Sequence, residues 1–330
     1  VGISSNISNF SESILISNDA GTGTLSSASS NTGLGWQVFD DLTSGDDNTG
    51  VGHEALAVLT TGSNNTAIGR RTLDANTTGS SNTAVGRLAL SANTTADNNT
   101  AIGLEAMAAN TTGASNVAVG ALALDANTEG DFNVAMGFYA LGAATTADKN
   151  VAVGSGAGQS ITTGANNVAI GADALDANTT ASNNTAIGSD ALGANTTGAE
   201  NVAIGAGALD ANTTAGNNTA VGRHALGSNT TGEINSAFGS FAMYTNTTGY
   251  GNTAVGRSAL YTNNGNDNTA VGHEALELNT SGAENVAVGR ESLEANTTGG
   301  ENVGVGHRAL ESNTTGAANT ALGKSSLASN

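Results

Sequence analysis

The stretch Asn65–Ser81, NTAIGRRTLDANTTGSS, decides the fold, because the same phrase returns with substitutions through most of the chain. Its glycine marks the period. From Gly35 to Gly256 a glycine recurs every 17 residues, one step of 16 leads to Gly272, and steps of 17 resume through Gly289, Gly306 and Gly323. The short step coincides with a one-residue deletion in the loop 263–267. Eighteen rungs are counted from these glycines.

A chain of 330 residues would ordinarily suggest two domains, but a fixed period means that each unit packs only on its neighbours. With 3% aromatic residues, 46 glycines, no proline and no cysteine, there is little material for a conventional core. Stability must come from thin stacked layers. Short strands joined by turns, advancing about 4.8 Å per rung, make an all-β parallel β-solenoid. The predicted organisation is a rod-like repeat domain over 31–330 preceded by a separate segment, 1–30.

Stacking the repeats gives columns. The residue just before each glycine is always apolar (Leu34, Val51, Ile68, Val85 and so on to Leu322), and this column is expected to form the core. A second apolar column lies four residues after the glycine, with Phe39, Leu56, Leu73, Leu90 and Met107 among its members and a break only at Gly158. It is expected to be the opposite wall. Two residues before the glycine every rung carries Ala or Gly, as at Ala67, Ala84, Ala101 and Ala118. Neighbours along a strand point to opposite faces, so these small residues are predicted to form an outer face packed closely by another subunit.

Asparagine makes two more columns. The first (Asn65, Asn82, Asn99, Asn116) lies four residues before the glycine and never deviates in eighteen rungs. The second (Asn76, Asn93, Asn110) lies seven after it and is replaced by Leu42, Leu59, Ala144 and Ile161 in other rungs. Asparagine tolerates left-handed backbone and can bond its own kind one rung away, so both columns are predicted to be turn-lining ladders. NTT at the second column matches the N-glycosylation sequon, but an asparagine that exchanges with leucine is expected to be buried and closed to a glycan. The neighbouring threonines remain open to O-linked sugars.

In the first segment Ile3, Ile7, Phe10 and Ile14 fit one helical face, while 14–16 reads as a strand, and serine with β-branched residues weakens the helix. The segment is expected either to cap the first rung or to dock on another subunit, because an open rung offers unpaired backbone groups. Asn319–Asn330 ends inside a regular rung, which another subunit or further chain is expected to cover. The start at Val1 fits a removed leader or trimming.

A formal charge of −19 with nine Lys and Arg argues against nucleic acid and anionic membranes as partners. No run of about 18 apolar residues exists, so no membrane insertion is expected. Without cysteine there is no thiol chemistry. His53, His224, His273 and His307 form no HExxH pattern, and neither GxxxxGK[ST] nor GxSxG occurs. No cofactor, metal or catalytic residue is expected. The strip Arg257, His273, Arg290, His307, Lys324 is predicted to compensate an acidic strip, Glu277, Glu294, Glu311, as charge ladders rather than a calcium site. Phe241, Tyr244, Tyr250 and Tyr261 concentrate a sparse aromatic supply and are the candidate ligand patch.

The phrases NTAIG, NVAIG and NTAVG, followed by xxAL and NTTG, resemble the head repeats of trimeric autotransporter adhesins and related repeats of phage tail fibres, over 31–330. The resemblance implies a left-handed β-roll, three chains about one axis, a position outside the cell, at its surface or on a virion fibre, and heads that take host, matrix or glycan ligands. The small-residue face and the open last rung make the leading expectation a structural extracellular fibre subunit that self-associates into a trimer or filament, by lateral or end-to-end packing. An adhesin head is the alternative. Ice binding ranks third, since Thr77 and Thr78 are adjacent rather than spaced in ranks.

Overall fold

The computed structural model describes residues 2–7, 10–17 and 25–329. All regular structure among them is β, and no helix is present to cross a membrane. The hairpin strands β1 (Gly2–Ile7) and β2 (Phe10–Ser17) pair antiparallel. After the short β3 (Ala28–Ser29), β4 (Thr32–Leu34) begins a series of three-residue strands, one per coil. Within each of the chain's two compact units, every such strand lies parallel to the next in register, as in Thr66↔Thr83, Ala67↔Ala84 and Ile68↔Val85. The fold is the expected parallel β-solenoid of about eighteen 17-residue turns. The chain divides into two compact units, 1–166 and 167–330. The first holds eight coil strands, ending at Val151–Val153, and the second holds ten, from Val168–Ile170 to Thr320–Leu322.

Each coil turns at left-handed residues. In the coil of Gly69 these are Arg71, Leu73 and Ser81, with φ of 54°, 53° and 59°. An L-residue there costs about 1–2 kcal/mol. Full burial of Leu73 returns about 2 kcal/mol, enough to hold its corner. At Arg71 and Ser81 the backbone N–H groups donate to His53 O (2.8 Å) and Ser63 O (2.9 Å) of the preceding coil. Gly69 itself has φ of 142°, and a Cβ there would lie 2.5 Å from Gly86 O. The invariant glycine thus reflects both its backbone angle and the closeness of the next coil.

The interior reverses one expectation. Ala67, Ala84, Ala101 and Ala118 are fully buried, whereas Ile68 is 41% exposed. The pre-glycine column is therefore outside and the alanine column is core. The cause is the thinness of the coil, whose inner strand face meets Leu73 and Thr72, or their equivalents, across a gap that admits one methyl group. Exceptions compensate locally. A Cβ on Gly33 would lie 3.1 Å from both Phe39 Cδ2 and Val38 Cγ1, and one on Gly304 would lie 2.7 Å from Ser292 Oγ. Gly158 interrupts the leucine column, and Ile161 Cδ1 and Leu141 Cδ2 fill its place, 3.0 and 3.2 Å from the position of its missing Cβ. Interior volume is conserved by exchange between columns.

Both asparagine columns are buried ladders. The Asn65 N–H and Nδ2 donate to Asn48 Oδ1 (2.9 and 3.0 Å), and Nδ2 also donates to Gly79 O (2.9 Å). Asn82 N–H donates in turn to Asn65 Oδ1 (3.0 Å). In the second ladder Asn76 Nδ2 donates to Gly79 O (2.9 Å), Gly79 N–H donates to Asn76 Oδ1 (3.1 Å), and Asn93 Nδ2 donates to Asn76 Oδ1 (3.1 Å). The NTT asparagines of the second column are thus enclosed and bonded, whereas Asn64, Asn98, Asn183 and Asn217, which begin Asn-Asn-Thr sequons, are exposed. A threonine ladder runs beside them, Thr77 Oγ1 donating to Thr94 O (3.1 Å).

In the 16-residue coil the side chain of Asn264 stands in for a missing carbonyl. Its Oδ1 accepts from Thr247 N (2.8 Å), Thr247 Oγ1 (2.8 Å) and Thr248 N (3.2 Å), donors that elsewhere use the threonine carbonyl of the next coil.

The N-terminal segment resolves as strand, and β2 caps the first coil of its own chain. Ile14, Leu15 and Ile16 pair with Thr32, Gly33 and Leu34. Ser13 Oγ accepts from Asn31 N–H (2.8 Å), the role an asparagine Oδ1 plays in later coils, and Leu15 is buried over Gly33. The side chains of Ile3, Ile7 and Phe10 lie outside the described residues.

Two outcomes are expected in thermal or denaturant unfolding. Gly120→Ala, at φ 139° and with a Cβ 2.4 Å from Gly137 O, lowers stability by roughly 2–5 kcal/mol, and an unchanged midpoint would refute the close-stacking account. Asn264→Ala costs roughly 0.5–1.5 kcal/mol by removing the acceptor that three exposed donors share, while Asn264→Asp, which keeps the acceptor, stays near the parent.

Candidate assembly face

The outward side of the coil strands carries two columns, the residue before the glycine and the one two further back. In the coil of Gly69 these are Ile68 and Thr66. The rear column alternates freely between Thr and Val, with Ser236 the one exception, and the front column is Val, Ile, Leu, Met or Phe throughout. None of the eighteen coils places a charged residue in either column, although the chain has 28 acidic and nine Lys and Arg residues. Ile14, half exposed, extends the face onto β2. At about 4.8 Å per coil and two columns about 7 Å apart, the eight coils of the first unit present on the order of 300 Å² of flat, β-branched surface. Its distinction is less its size than its composition, an uncharged strip on a strongly acidic chain, which makes it the candidate interaction surface.

The association surface predicted at Ala67, Ala84, Ala101 and Ala118 is thus corrected. Those methyls fill the coil, and the exposed apolar residues are the ones on either side of them in sequence. The signal for this was the rear column, where Thr replaces Val without penalty. A column indifferent to a hydroxyl faces outward, and strand alternation then places the pre-glycine column outward too.

Of the aromatic candidates, Phe241, Tyr244 and Tyr261 come together, and His224 joins them. The His224 and Phe241 rings stack at 5.5 Å, Tyr244 meets Phe241 edge-on at 5.5 Å, and Tyr244 and Tyr261 lie 5.5 Å apart. The Arg223 guanidinium sits 5.4 Å from the Phe241 centroid. Room for the rings comes from glycines of preceding coils. A Cβ at Gly207 would fall 2.5 Å from His224 Nδ1, and one at Gly227 would fall 2.9 Å from Tyr244 Cε2. Much of the ring surface is spent on neighbouring rings. Tyr250 occupies another corner, exposed, its N–H donating to Asn266 Oδ1 (3.1 Å).

The charge strips pair differently from expectation. The basic residues find Glu274 and Glu291, two residues after their glycines, more than the acidic strip. Glu274 meets His273 (3.1 Å) and Arg257 (3.8 Å), while Glu291 is bonded by Arg290, Arg308 (2.5 Å) and His307 (3.8 Å). Arg308 also reaches Glu311 at 3.4 Å. Oxygens of Glu291, Glu294 and Glu311 lie within 4.8 Å of one another, a closeness that these guanidinium groups account for. In the first unit Arg71 bridges Glu54 (3.3 Å) and Asp74 (2.8 Å) across a groove of about 760 Å³ floored by Ala57 and Val58.

The hydrogen bond from Arg308 holds Glu291 below the usual carboxylate range. Glu277 and Glu294 are pushed up, first by burial and then by neighbouring glutamates. Asp74, Asp125 and Asp210, in the same column of other coils, are raised by burial as well.

No protein-family model matches the chain, and no curated protein matches it.

A raised carboxyl pKa contributes stability that is complete below the ordinary carboxylate range and is lost as pH rises through the raised value. Glu294→Gln is therefore expected to raise the melting temperature near neutral pH, with the gain vanishing in acid. Glu291→Gln has the opposite sign at neutral pH, because its lowered carboxyl stabilises the ionised fold. A pH series of melting curves on both variants checks the pair, and like signs at neutral pH would overturn the assignment.

Proposed function

We propose that this chain is a non-enzymatic structural subunit of an extracellular or cell-surface fibre, which assembles by lateral packing of its flat β-branched face. The observation that carries the reading is the absence of any charge from two exposed columns of a strongly acidic chain. Two copies that each carry −19 repel wherever their charged sides meet, so an uncharged strip is the side on which a copy can approach. Threonine, valine and isoleucine also suit the interdigitated contact of packed sheets. The resemblance to adhesin heads and tail-fibre repeats agrees with a role outside the cell and with association of like chains. A second reading, an adhesin head for glycan or matrix ligands, draws support from the His224, Phe241, Tyr244 and Tyr261 cluster, and loss of glycan-array binding in Tyr244→Ala would favour it.

The test is sedimentation and electron microscopy of the parent beside Ile102→Asp combined with Ile204→Asp. Both side chains are well exposed, so the variant is expected to keep the parent circular dichroism while its assemblies dissociate. A parent that stays monomeric at high concentration, or a variant that assembles as the parent does, would remove lateral packing as the mechanism.

A further inference from the structure

The front column of the first unit alternates in size. Leu34, Ile68, Ile102 and Met136 share the face with Val51, Val85, Val119 and Val153, large and small in strict succession over eight coils. Exposure follows the same beat, since the large residues stand at 49%, 41%, 40% and 43% while the valines between them are only partly exposed. The face is a washboard whose ridges recur every second coil, roughly 9.6 Å apart. The rear column beside it is uniform, because Thr and Val have nearly the same shape.

We propose that this washboard docks on the same face of a second copy, with the coil axes antiparallel about a two-fold axis, so that each large residue lies over a valine. The inference rests on the lateral reading above and adds its geometry. When two copies meet face to face with coil axes parallel, their strands run oppositely and the alternating column lies over the uniform one, where the alternation has nothing to match. With coil axes antiparallel the strands run the same way, and the front column lies over the front column. An even run of eight alternating coils then maps onto itself by reversal. Leu34 faces Val153, Val51 faces Met136, Ile68 faces Val119, and Val85 faces Ile102, leaving no ridge opposed to a ridge. The contact is isologous and closes with two copies, the commonest symmetry of like chains. A second copy is the fitting occupant because the surface is complementary to itself and carries no charge that would select another partner.

A face on the order of 300 Å² per copy makes a weak pair, so covalent trapping is the suitable probe. The chain has no cysteine, and each single-cysteine variant is therefore unambiguous. Equimolar Leu34→Cys and Val153→Cys proteins, treated with a short bismaleimide able to span the roughly 10 Å between packed sheets, are expected to give the mixed dimer in several-fold excess over either homodimer. Register is read separately by sedimentation. Val119→Ile is expected to weaken pairing by setting ridge on ridge, and adding Ile68→Val restores it. Homodimers of Leu34→Cys, or efficient linkage of Ile68→Cys to Thr66→Cys, would show parallel chains and overturn the antiparallel pairing while leaving lateral association intact. No cross-link in any combination would overturn both, and a failure of Ile68→Val to rescue Val119→Ile would overturn the register.

Discussion

Everything in this fold depends on the narrowness of the coil. A turn of 17 residues closed at left-handed corners leaves an interior about one leucine and one methyl group across, and the chain must fill it without forcing the walls apart. Hence the leucine column enters from one side and the alanine column answers from the other. Hence too the bulky β-branched residues, which a thicker core would take in, are turned outward. The compensations at Gly33, Gly158 and Gly304 show the limit from the other direction, since wherever one column gives up volume a neighbour supplies it. In so thin a layer a mismatch of one methylene has nowhere to relax.

A narrow interior also explains the buried amides. Burying an unpaired amide is expensive, but an amide repeated from coil to coil meets its own kind, and an asparagine oxygen accepts from the asparagine of the next coil, as at Asn65 and Asn76. Where the next coil carries Ala144 instead, Asn127 Oδ1 is buried without a hydrogen bond. The polar ladder needs no large side chain to hold it and adds bonds along the stacking direction, where the short strands supply few. Its substitutions by Leu42, Leu59 and Ile161 fall in coils where the interior also changes, at Gly33, Gly50 and Gly158. The ladder and the apolar core are two fillings of one volume.

Much of this was legible from the repeat. The period gave the parallel solenoid, and constancy at Asn65 with tolerance of leucine at the Asn76 column gave two buried ladders. The orientation of the strand was misread because hydrophobicity was taken as the guide to the inside. Ile68 is more apolar than Ala67, yet in a coil this thin size decides before hydrophobicity does. The left-handed corners at Arg71 and Ser81 could not be read at all, because neither residue type favours that backbone and the bonds that hold it come from the preceding coil. The pairing partners of Arg257, Arg290 and Arg308 were likewise hidden, since column spacing places two acidic strips within reach and only the coil path selects the nearer one.

The same geometry that forces apolar residues outward bears on what the protein does. A solenoid can dress its outer columns with any residue, and this chain dresses most of them with acids, threonine and serine. Exposed valine and isoleucine weaken solubility and are not needed to close the coil, as the free exchange of Thr and Val in the rear column shows. Strand propensity accounts for β-branching but not for the exclusion of threonine from the pre-glycine column, which threonine would satisfy equally well. Propensity likewise asks for no alternation of large and small. Both features are what the proposed pairing asks of that column, and in a chain built from one repeated phrase the surface most easily matched to a repeat is the repeat itself.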